Sequence, residues 1–423
     1  MKIKKHIRHL DDQAVVFSLS RNMKDTSIFR LSVVLKEKIE PSLLKRAVNE
    51  ALEKYKVYKV KMKAGIFGYY LEENSKLPII VKEKKKVFKR LNTPENNDYL
   101  FQVSYETKKI NIEIFHPLTD GNGGTEFFKE IISRYLELRH PKIFIRNQEA
   151  IPEAIVTSEN AYKKHYPKRT KPAYNPPRGY RIKGKKLTND TIGINHFSIK
   201  LSELKVLSKE NNCSISELLV SMLIYSIYHG NYKKSKTKRP INVCLPVDLR
   251  KYYETKTISN FISYFVVSLK LKGNNHYSFE EILDKVIKEF KNKLQKERIT
   301  ETMNSNGKII NNPFIKSVPL LIKRACVVLG TIGFKTKFST IVSNLGEFKI
   351  GEKYKKYIED YNFTLSPDWA EKVRCGVVSY NKNLIMTFST NILESNIEKE
   401  FKALLDSFKL KYTIKNNGVN KIA

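Results

Sequence analysis

A short stretch of the sequence brings together residue types that can transfer a proton. Residues 111–124 read NIEIFHPLTDGNGG, in which His116 ends a strand-like run of isoleucines and Asp120 follows four positions later. Because side chains alternate along a strand, His116 points to the same side as the isoleucines. An imidazole at the rim of an apolar face is kept neutral by desolvation, so His116 is a candidate general base.

The turn after His116 allows two roles for its carboxylate. Asp120 can fold back to orient the imidazole or can hold the turn, and Gly121, Gly123 and Gly124 permit backbone conformations that larger side chains would obstruct. The alternative is that His116 is a core histidine with satisfied hydrogen bonds and Asp120 an ordinary turn residue. The sequence alone leaves these interpretations open.

Other histidines and the cysteines are weaker candidates for catalytic or metal-binding residues. His196 lies in a predicted strand and His229 near a predicted helix end, each without a partner at metal-ligand spacing, so both are expected to be structural. The four cysteines lie far apart with no CxxC pair, which argues against a zinc site or a disulfide framework. We therefore expect no metal site.

The first 145 residues alternate strand and helix signals around this stretch. Pro41 suits the first turn of a helix whose apolar residues recur three and four positions apart. The predicted elements are strands at 13–19 and 28–35, a hairpin of 57–63 with 67–73, two strands within 98–115, and helices at 41–55 and 126–138.

Strand and helix signals alternate again after a segment of different composition. Residues 146–190 are rich in proline and charge without any period, which is typical of a linker on the surface. Strands are then predicted at 191–199, 241–247, 261–271, 338–344, 373–380 and 383–390, and helices at 201–211, 214–230, 278–297, about 315–330 and from Ser395 onwards.

These elements and the length predict the domain organisation. A chain of 423 residues is too long for one ordinary core. Both parts mix helices with hairpin-like strand pairs, which predicts an α+β protein with mixed or antiparallel sheets. The expected division is an N-terminal lobe at 1–145, a linker at 146–190 and a C-terminal lobe at 191–423.

The charge balance bears on partners and location. The sequence has 78 basic and 43 acidic residues, a net charge of +35. Nucleic acid is the first partner such a balance suggests, but the basic runs lie in loop-like segments without a recognition-helix stripe or an RNA-binding signature, so we expect no specific nucleic acid. A polyanionic cofactor or an acidic carrier protein would be attracted by the same field. No apolar run reaches the roughly 18 residues of a membrane helix, and the N-terminus lacks the apolar region of a signal peptide, so we expect a cytoplasmic protein with no membrane span.

Three segments resemble a known family. HPLTDG (116–121) is similar to the HxxxDG motif of the CoA-dependent acyltransferase superfamily, and LPVDLRKYYETKTISNF (245–261) and VSNLG (342–346) resemble segments of its alcohol acetyltransferase-like branch. The resemblance implies two chloramphenicol-acetyltransferase-like lobes with a channel between them. It also implies that His116 is the general base, that Asp120 is structural with Arg250 as its partner, and that Gly121 completes the motif turn.

The sequence also departs from this family. Condensation domains usually show two adjacent histidines, and Phe115 occupies the first place; the DFGWG motif of plant acyltransferases is absent. Asn344 or Ser389 is the residue type to hydrogen-bond an oxyanion. A turn at Asn344 and a surface ion pair at Arg250 are the plain alternatives.

The sequence thus predicts an acyltransferase that moves an acetyl or other short acyl group from acyl-CoA to an alcohol. The partners expected are acyl-CoA as cosubstrate and a small-molecule alcohol acceptor, with no permanently bound cofactor, and the chain is expected to be a monomer. Two alternatives stay open: condensation-like transfer from an acidic carrier protein to an amine or hydroxyl, and a catalytically silent binding protein.

Overall fold

Three sheets and the helices that cover them form the part of the chain described by the computed structural model. The described residues are 7–20, 27–84, 86–143, 157–167, 171–188, 191–272, 275–393 and 395–419. The helices are α1 (Asp12–Ser20), α2 (Pro41–Lys54), α3 (Gly121–Arg139), α4 (Ala161–His165), α5 (Leu201–Glu210), α6 (Ile215–Ile227), α7 (Phe279–Lys293), α8 (Lys296–Asn311), α9 (Pro313–Ser317), α10 (Leu320–Lys335), α11 (Glu352–Lys355) and α12 (Asn396–Ser407).

The strands are distributed over sheets of three, five and seven strands. They are β1 (Ile7–His9), β2 (Ile28–Leu35), β3 (Val60–Ala64), β4 (Tyr69–Glu73), β5 (Ile80–Lys82), β6 (Phe101–Tyr105), β7 (Lys109–Phe115), β8 (Gly193–Lys200), β9 (Ile241–Asp248), β10 (Ile262–Leu269), β11 (Thr340–Glu347), β12 (Ile358–Leu365), β13 (Val373–Tyr380), β14 (Asn383–Thr390) and β15 (Tyr412–Asn416).

The five-stranded sheet carries the histidine stretch. Its order is β12-β2-β7-β6-β5, and all pairs are antiparallel except β5 with β6. Strand β7 lies between β2 and β6, so that Ile112 is opposite Leu31 on one side and Val103 on the other. The alternating isoleucines of β7 are fully buried, as predicted, and join the core that α2 and α3 share with this sheet.

The seven-stranded sheet forms the second core. Its order is β10-β9-β11-β13-β14-β8-β15, with parallel pairs at β9–β11 and β11–β13 and antiparallel pairs elsewhere. Helix α6 is apolar around most of its circumference and is buried against this sheet together with α7 and α12. The predicted α+β class with mixed sheets is confirmed.

Strand β12 crosses between the two parts of the chain. It comes late in the sequence yet pairs with β2 at the edge of the five-stranded sheet, with Tyr361 opposite Val33. Residues from 348 to 385 accordingly join the core of the N-terminal strands. The core around the N-terminal strands contains residues from both ends of the chain. The domain boundaries expected at residues 145 and 191 therefore remain a prediction.

The sequence-based assignment of residues 13–19 as a strand is wrong, because they belong to helix α1. Asp11 caps this helix: its Oδ1 accepts a hydrogen bond from the Ala14 amide at 2.8 Å, and its carbonyl accepts one from the Val15 amide at 3.0 Å. The β-branched pair Val15 and Val16 favours a strand locally. The cap satisfies the first amides of a helix and overrides that preference.

Other elements differ from prediction in smaller ways. The elements that were not predicted are helices α4, α8 and α11 and strands β1, β5, β12 and β15. The helix expected near 315–330 is the pair α9 and α10. The linker does not run only over the surface, because Tyr162 of α4 is 2% exposed and Tyr180 is 4% exposed. The Tyr162 hydroxyl donates to the Ile262 carbonyl and accepts from the Ile262 amide, both at 2.8 Å.

Candidate functional site

The histidine lies where β7 turns into helix α3. The backbone amide of His116 donates to the Ser27 carbonyl at 3.0 Å, which continues the pairing of β7 one residue beyond its end. Asp120 is the N-cap of α3, and its Oδ1 accepts from the amides of Asn122 at 3.1 Å and Gly123 at 3.0 Å. The strand and the cap therefore fix both ends of the HPLTD turn.

The second carboxylate oxygen of Asp120 joins this turn to the C-terminal half. Its Oδ2 accepts from Arg250 Nη1 and from the Phe261 amide, each at 2.9 Å. Arg250 also donates to the carbonyls of Thr257 at 3.0 Å and Ser259 at 2.6 Å. The hydrogen bonds of Asp120 thus go to Arg250 and to backbone amides, which supports the interpretation that the aspartate holds the turn.

The charges at this junction reinforce one another. Burial alone would lower the pKa of Arg250, but the nearby carboxylates of Asp120 and Asp248 raise it. Asp248 Oδ1 accepts from Arg250 Nη1 at 2.9 Å, so the guanidinium is held between two carboxylates. Because Asp120 is only 1% exposed, this ion pair is a buried structural link and differs from the surface pair that the sequence left open.

Asn260 determines the orientation and tautomer of the imidazole. Its Nδ2 donates to Asp11 Oδ2 at 3.1 Å and to the His116 carbonyl at 2.9 Å, which uses both amide protons. Its Oδ1 is therefore the atom that lies 3.3 Å from His116 Nδ1, and Nδ1 must carry the proton that is donated to it. A neutral imidazole protonated at Nδ1 leaves Nε2 able to accept a proton.

The surroundings of His116 keep it neutral. Burial lowers its pKa from the usual 6.5, against the opposing effects of the Asn260 hydrogen bond and the Asp120 charge, and the positive charge of Arg374 lowers it further. Phe17 of α1 stacks on the imidazole, with ring centroids 4.2 Å apart and planes 16° apart. A ring that is unprotonated at neutral pH and stacked on one aromatic neighbour suits a general base.

Asp11 completes the network behind Asn260. Its Oδ2 accepts from both the backbone amide and the side chain of Asn260, at 3.2 and 3.1 Å. Burial raises the pKa of Asp11 to about 7, although these hydrogen bonds act in the opposite direction. Sequence reasoning singled out neither Asp11 nor Asn260. The only available signals were a capping aspartate ahead of α1 and the asparagine within the family-like segment 245–261.

Close packing requires a glycine at position 123 of the motif turn. In the described part of the chain, positive φ among glycines occurs only at Gly346 and Gly418, so a left-handed turn does not explain Gly121 or Gly123. A Cβ at Gly123 would lie closer than 3.0 Å to Thr119 Oγ1 and to the Ile258 carbonyl. The segment 252–261 therefore approaches the start of α3 too closely for any side chain.

The two candidates for an oxyanion contact lie in different environments. Asn344 is exposed, and its Oδ1 accepts from the Gly346 amide at 2.8 Å, which makes the turn that the sequence offered as an alternative. Its neighbour Leu345 lies against Gly121, with Cδ2 2.5 Å from the position of a Cβ there. Ser389 is fully buried and its hydroxyl donates to the Leu365 carbonyl at 2.6 Å, so its proton is directed away from any substrate.

The two other histidines considered from the sequence, His196 and His229, have structural environments. His196 Nδ1 lies 2.8 Å from Thr387 Oγ1, and burial lowers the pKa of His196 to about 3. The His229 ring lies against Tyr225, with ring centroids 4.1 Å apart and planes tilted by 34°. Within the residues described above, no group of three or more histidine, cysteine or acidic side chains is arranged to hold a metal ion.

A large cavity opens beside the histidine. Its volume is about 1460 Å³, and it lies between α1, the β3–β4 hairpin tip, strands β9 to β11, and helices α9 and α10. Phe17 lines this cavity, and its ring also stacks on His116. The candidate base is thus one aromatic ring away from a space large enough for a sizeable organic molecule.

The fold belongs to the class shared by CoA-dependent acyltransferases and condensation domains. The sequence matches no family model and no curated protein. Among solved structures, polyketide synthase associated protein 5 from Mycobacterium tuberculosis is similar at 14% identity, covering 95% of this chain and 98% of that chain with a TM-score of 0.62. TRI101 of F. graminearum, complexed with coenzyme A and T-2 mycotoxin, is similar at 11% identity, covering 96% and 99% with a TM-score of 0.64.

A condensation domain shares the same architecture. The starter condensation domain of rhizomide synthetase, in complex with C8-CoA, is similar at 11% identity, covering 95% of this chain and 93% of that chain with a TM-score of 0.56. The predicted two-lobed fold, which this chain shares with these proteins, is therefore confirmed. Within the described ranges, no helix is both long enough and apolar enough to cross a bilayer.

Proposed function

We propose that the protein is an acyltransferase that moves an acyl group from acyl-CoA to an alcohol, with His116 as general base. The observation that carries this proposal is the Asn260 contact, which assigns the proton of a neutral imidazole to Nδ1 and the lone pair that can accept a proton to Nε2. Asp120, Arg250 and Gly121 act in the same proposal as the support of the loop. Acetyl or another short acyl group remains the donor predicted from the sequence, and a cytoplasmic location remains a prediction.

The reaction follows from these roles. Nε2 takes the proton of the acceptor hydroxyl while the oxygen attacks the thioester carbonyl, which forms a tetrahedral intermediate. Collapse of the intermediate breaks the carbon–sulfur bond, and the imidazolium returns its proton to the departing thiolate. The products are an ester and free CoA. Of the two oxyanion candidates, Asn344 is retained because its neighbour lies against the motif turn, whereas the buried hydroxyl of Ser389 donates elsewhere.

The structurally similar proteins support this proposal, but they do not distinguish acyl-CoA from a carrier protein as the acyl donor. TRI101 was solved with coenzyme A and a mycotoxin, and the rhizomide synthetase domain with C8-CoA. Transfer from a carrier protein is the second candidate, because a net charge of +35 would attract an acidic carrier as well as CoA. A catalytically silent binding protein is the third candidate, and it predicts CoA binding without turnover.

Thiol release separates these candidates. Wild-type protein is incubated with acetyl-CoA, longer acyl-CoAs or an acylated carrier protein, across a panel of alcohols and amines, and free thiol is measured. The proposal predicts release that depends on both an acyl-CoA and an alcohol and that is lost in His116→Ala. Release only from the acylated carrier would favour the condensation-like alternative. CoA binding with no release from any donor would favour the silent one.

A further inference from the structure

A cluster of exposed apolar side chains lies at the outer edge of the cavity. These side chains, which we call the apolar rim, are Ile66 (76% exposed), Phe67 (52%), Phe314 (84%), Leu321 (81%), Ile322 (58%) and Leu329 (71%). They come from the β3–β4 tip, α9 and α10. Single exposed apolar residues need no explanation, but a group of six large ones from three elements marks an interaction surface.

Hydrogen bonds hold the three elements of the rim together. The Leu320 amide donates to the Ile66 carbonyl at 2.8 Å. Lys323 Nζ donates to the carbonyls of Phe67 at 2.6 Å and Lys316 at 3.2 Å. The hairpin tip, α9 and the first turn of α10 are thus one continuous surface.

The apolar rim adjoins the cavity. Phe67, Ile315 and Val318 from the rim segments line the cavity, as do Cys326 and Phe334 of α10. Leu321 and Leu329 of the same helix do not line it and are exposed instead. Helix α10 therefore borders the cavity on one side and presents apolar side chains outward on another.

The chain segments that form the rim carry only basic charged residues, although Lys61 pairs with Glu72 and Lys335 pairs with Asp368. Residues 302–346 contain six lysines and arginines and no aspartate or glutamate. Residues 60–71, which include the hairpin tip, contain Lys61 and Lys63 and again no acidic residue. An apolar surface embedded in purely basic sequence matches the acyl and headgroup layers of an anionic lipid bilayer. A second copy of this chain fits poorly, because a symmetric contact would bring two basic surfaces together.

We propose that the apolar rim docks the protein onto the surface of an anionic lipid bilayer. The rim side chains enter the boundary between headgroups and acyl chains, and the exposed lysines of these segments, Lys63 and Lys316, contact the anionic headgroups. The protein lies on the bilayer without crossing it. This arrangement brings the mouth of the cavity to the lipid surface.

Vesicle sedimentation tests this docking surface. Purified full-length protein is sedimented with phosphatidylcholine vesicles and with vesicles that also contain phosphatidylglycerol. The test variant is Leu321→Ser with Leu329→Ser, which removes two exposed apolar side chains without changing the charge. The matched control is Val206→Ser, because Val206 of α5 is 56% exposed and lies outside the rim.

The proposal predicts that wild type and Val206→Ser bind the anionic vesicles and that the double variant binds them about 10-fold more weakly. Binding to neutral vesicles should be much weaker for all three proteins. Equal binding of the double variant and wild type, or no binding of wild type to anionic vesicles, would overturn it. So would a wild-type dimer in sedimentation velocity that the double variant abolishes, because the rim would then be a contact between copies.

Discussion

At the scale of single residues, the chemistry depends on which ring nitrogen of His116 carries the proton. Asn260 lies 144 positions away in the sequence, and its amide is itself oriented by Asp11. A second-half asparagine meets the motif only after both halves have folded, so neither spacing nor periodicity could have predicted the contact. His116 could be singled out from the sequence because its position at the end of an apolar strand is a local feature, and its role as the base stays a prediction.

The pH profile of activity should reflect the environment of His116. Burial lowers the pKa of this imidazole below 6.5, and the reaction needs its unprotonated form. Activity should therefore be lost only as the pH falls through a value below 6.5. The dependence of kcat/KM on pH measures this value, and an acidic limb above 6.5 would contradict the proposed environment.

Replacing the asparagine should affect both rate and pH dependence. In Asn260→Leu the imidazole loses the contact that selects its tautomer, and kcat/KM should fall by about 10²-fold because the base is misplaced. The hydrogen bond that His116 donates to Asn260 raises the pKa of His116, so without it the acidic limb should also move to lower pH. A lower kcat/KM with no shift in the acidic limb of the pH profile would mean that Asn260 has only a structural role.

At the scale of elements, the Asp120 cap and the Arg250 ion pair join the start of α3 to the second half of the chain. Asp120→Ala removes the N-cap and leaves a buried guanidinium without one of its carboxylates. We expect a loss of about 3–5 kcal/mol in the free energy of unfolding, measured by denaturant titration. The control is Lys402→Met, which removes an exposed ion pair to Asp406 and should cost less than about 1 kcal/mol. Similar losses in the two variants would contradict the structural role of Asp120.

Two glycines in the first turn of α3 offer a matched pair of substitutions. Gly123→Ala forces a Cβ against the Ile258 carbonyl, so it should destabilise the fold by about 1–3 kcal/mol or more. Gly121→Ala meets only the end of the Leu345 side chain, which can rotate, and alanine favours a helix, so the change should be much smaller. Thermal unfolding compares the two; equal effects would mean that close packing is not what these glycines provide.

Elements were predicted well where the pattern is local. The antiparallel pair β13 and β14 and the capping box of α6 match their predicted positions, because alternation and cap spacing are visible within a few residues. Helix α1 was mistaken for a strand because the capping role of Asp11 competes with a β-branched pair. Strand β12 was not predicted because it begins with Ile-Glu-Asp, and the two acidic residues interrupt the apolar pattern of a buried strand. Its partner β2 is more than 300 positions away in the sequence.

At the scale of the whole molecule, a net charge of +35 should govern the affinity for CoA. The CoA phosphates are attracted by the field of the protein, so the dissociation constant should rise steeply with added potassium chloride. Dephospho-CoA, which lacks the 3′-phosphate, should bind more weakly and show a shallower salt dependence. Calorimetric titration at several salt concentrations measures the affinities of CoA and dephospho-CoA. An affinity for CoA that does not change with salt would contradict a role of the net charge in binding.

The fold could be predicted from three short segments, and its likeness to solved structures such as TRI101 confirmed the prediction. These segments lie where the two halves meet. HPLTDG supplies the cap, segment 245–261 supplies Arg250 and Asn260, and VSNLG places Leu345 against Gly121. The cavity and the apolar rim could not be predicted in the same way. They depend on how α10 and the hairpin tip come together, and no local pattern encodes that contact.

The most direct test of the central claim compares two histidine substitutions. His140 ends the same helix α3 roughly 28 Å from its start, where it stacks on Tyr357. His116→Ala should lower acceptor-dependent thiol release from acyl-CoA by about 10²–10⁴-fold with CoA affinity unchanged, while His140→Ala should retain wild-type release. Wild-type release in a folded His116→Ala protein would contradict the assignment of His116 as the base.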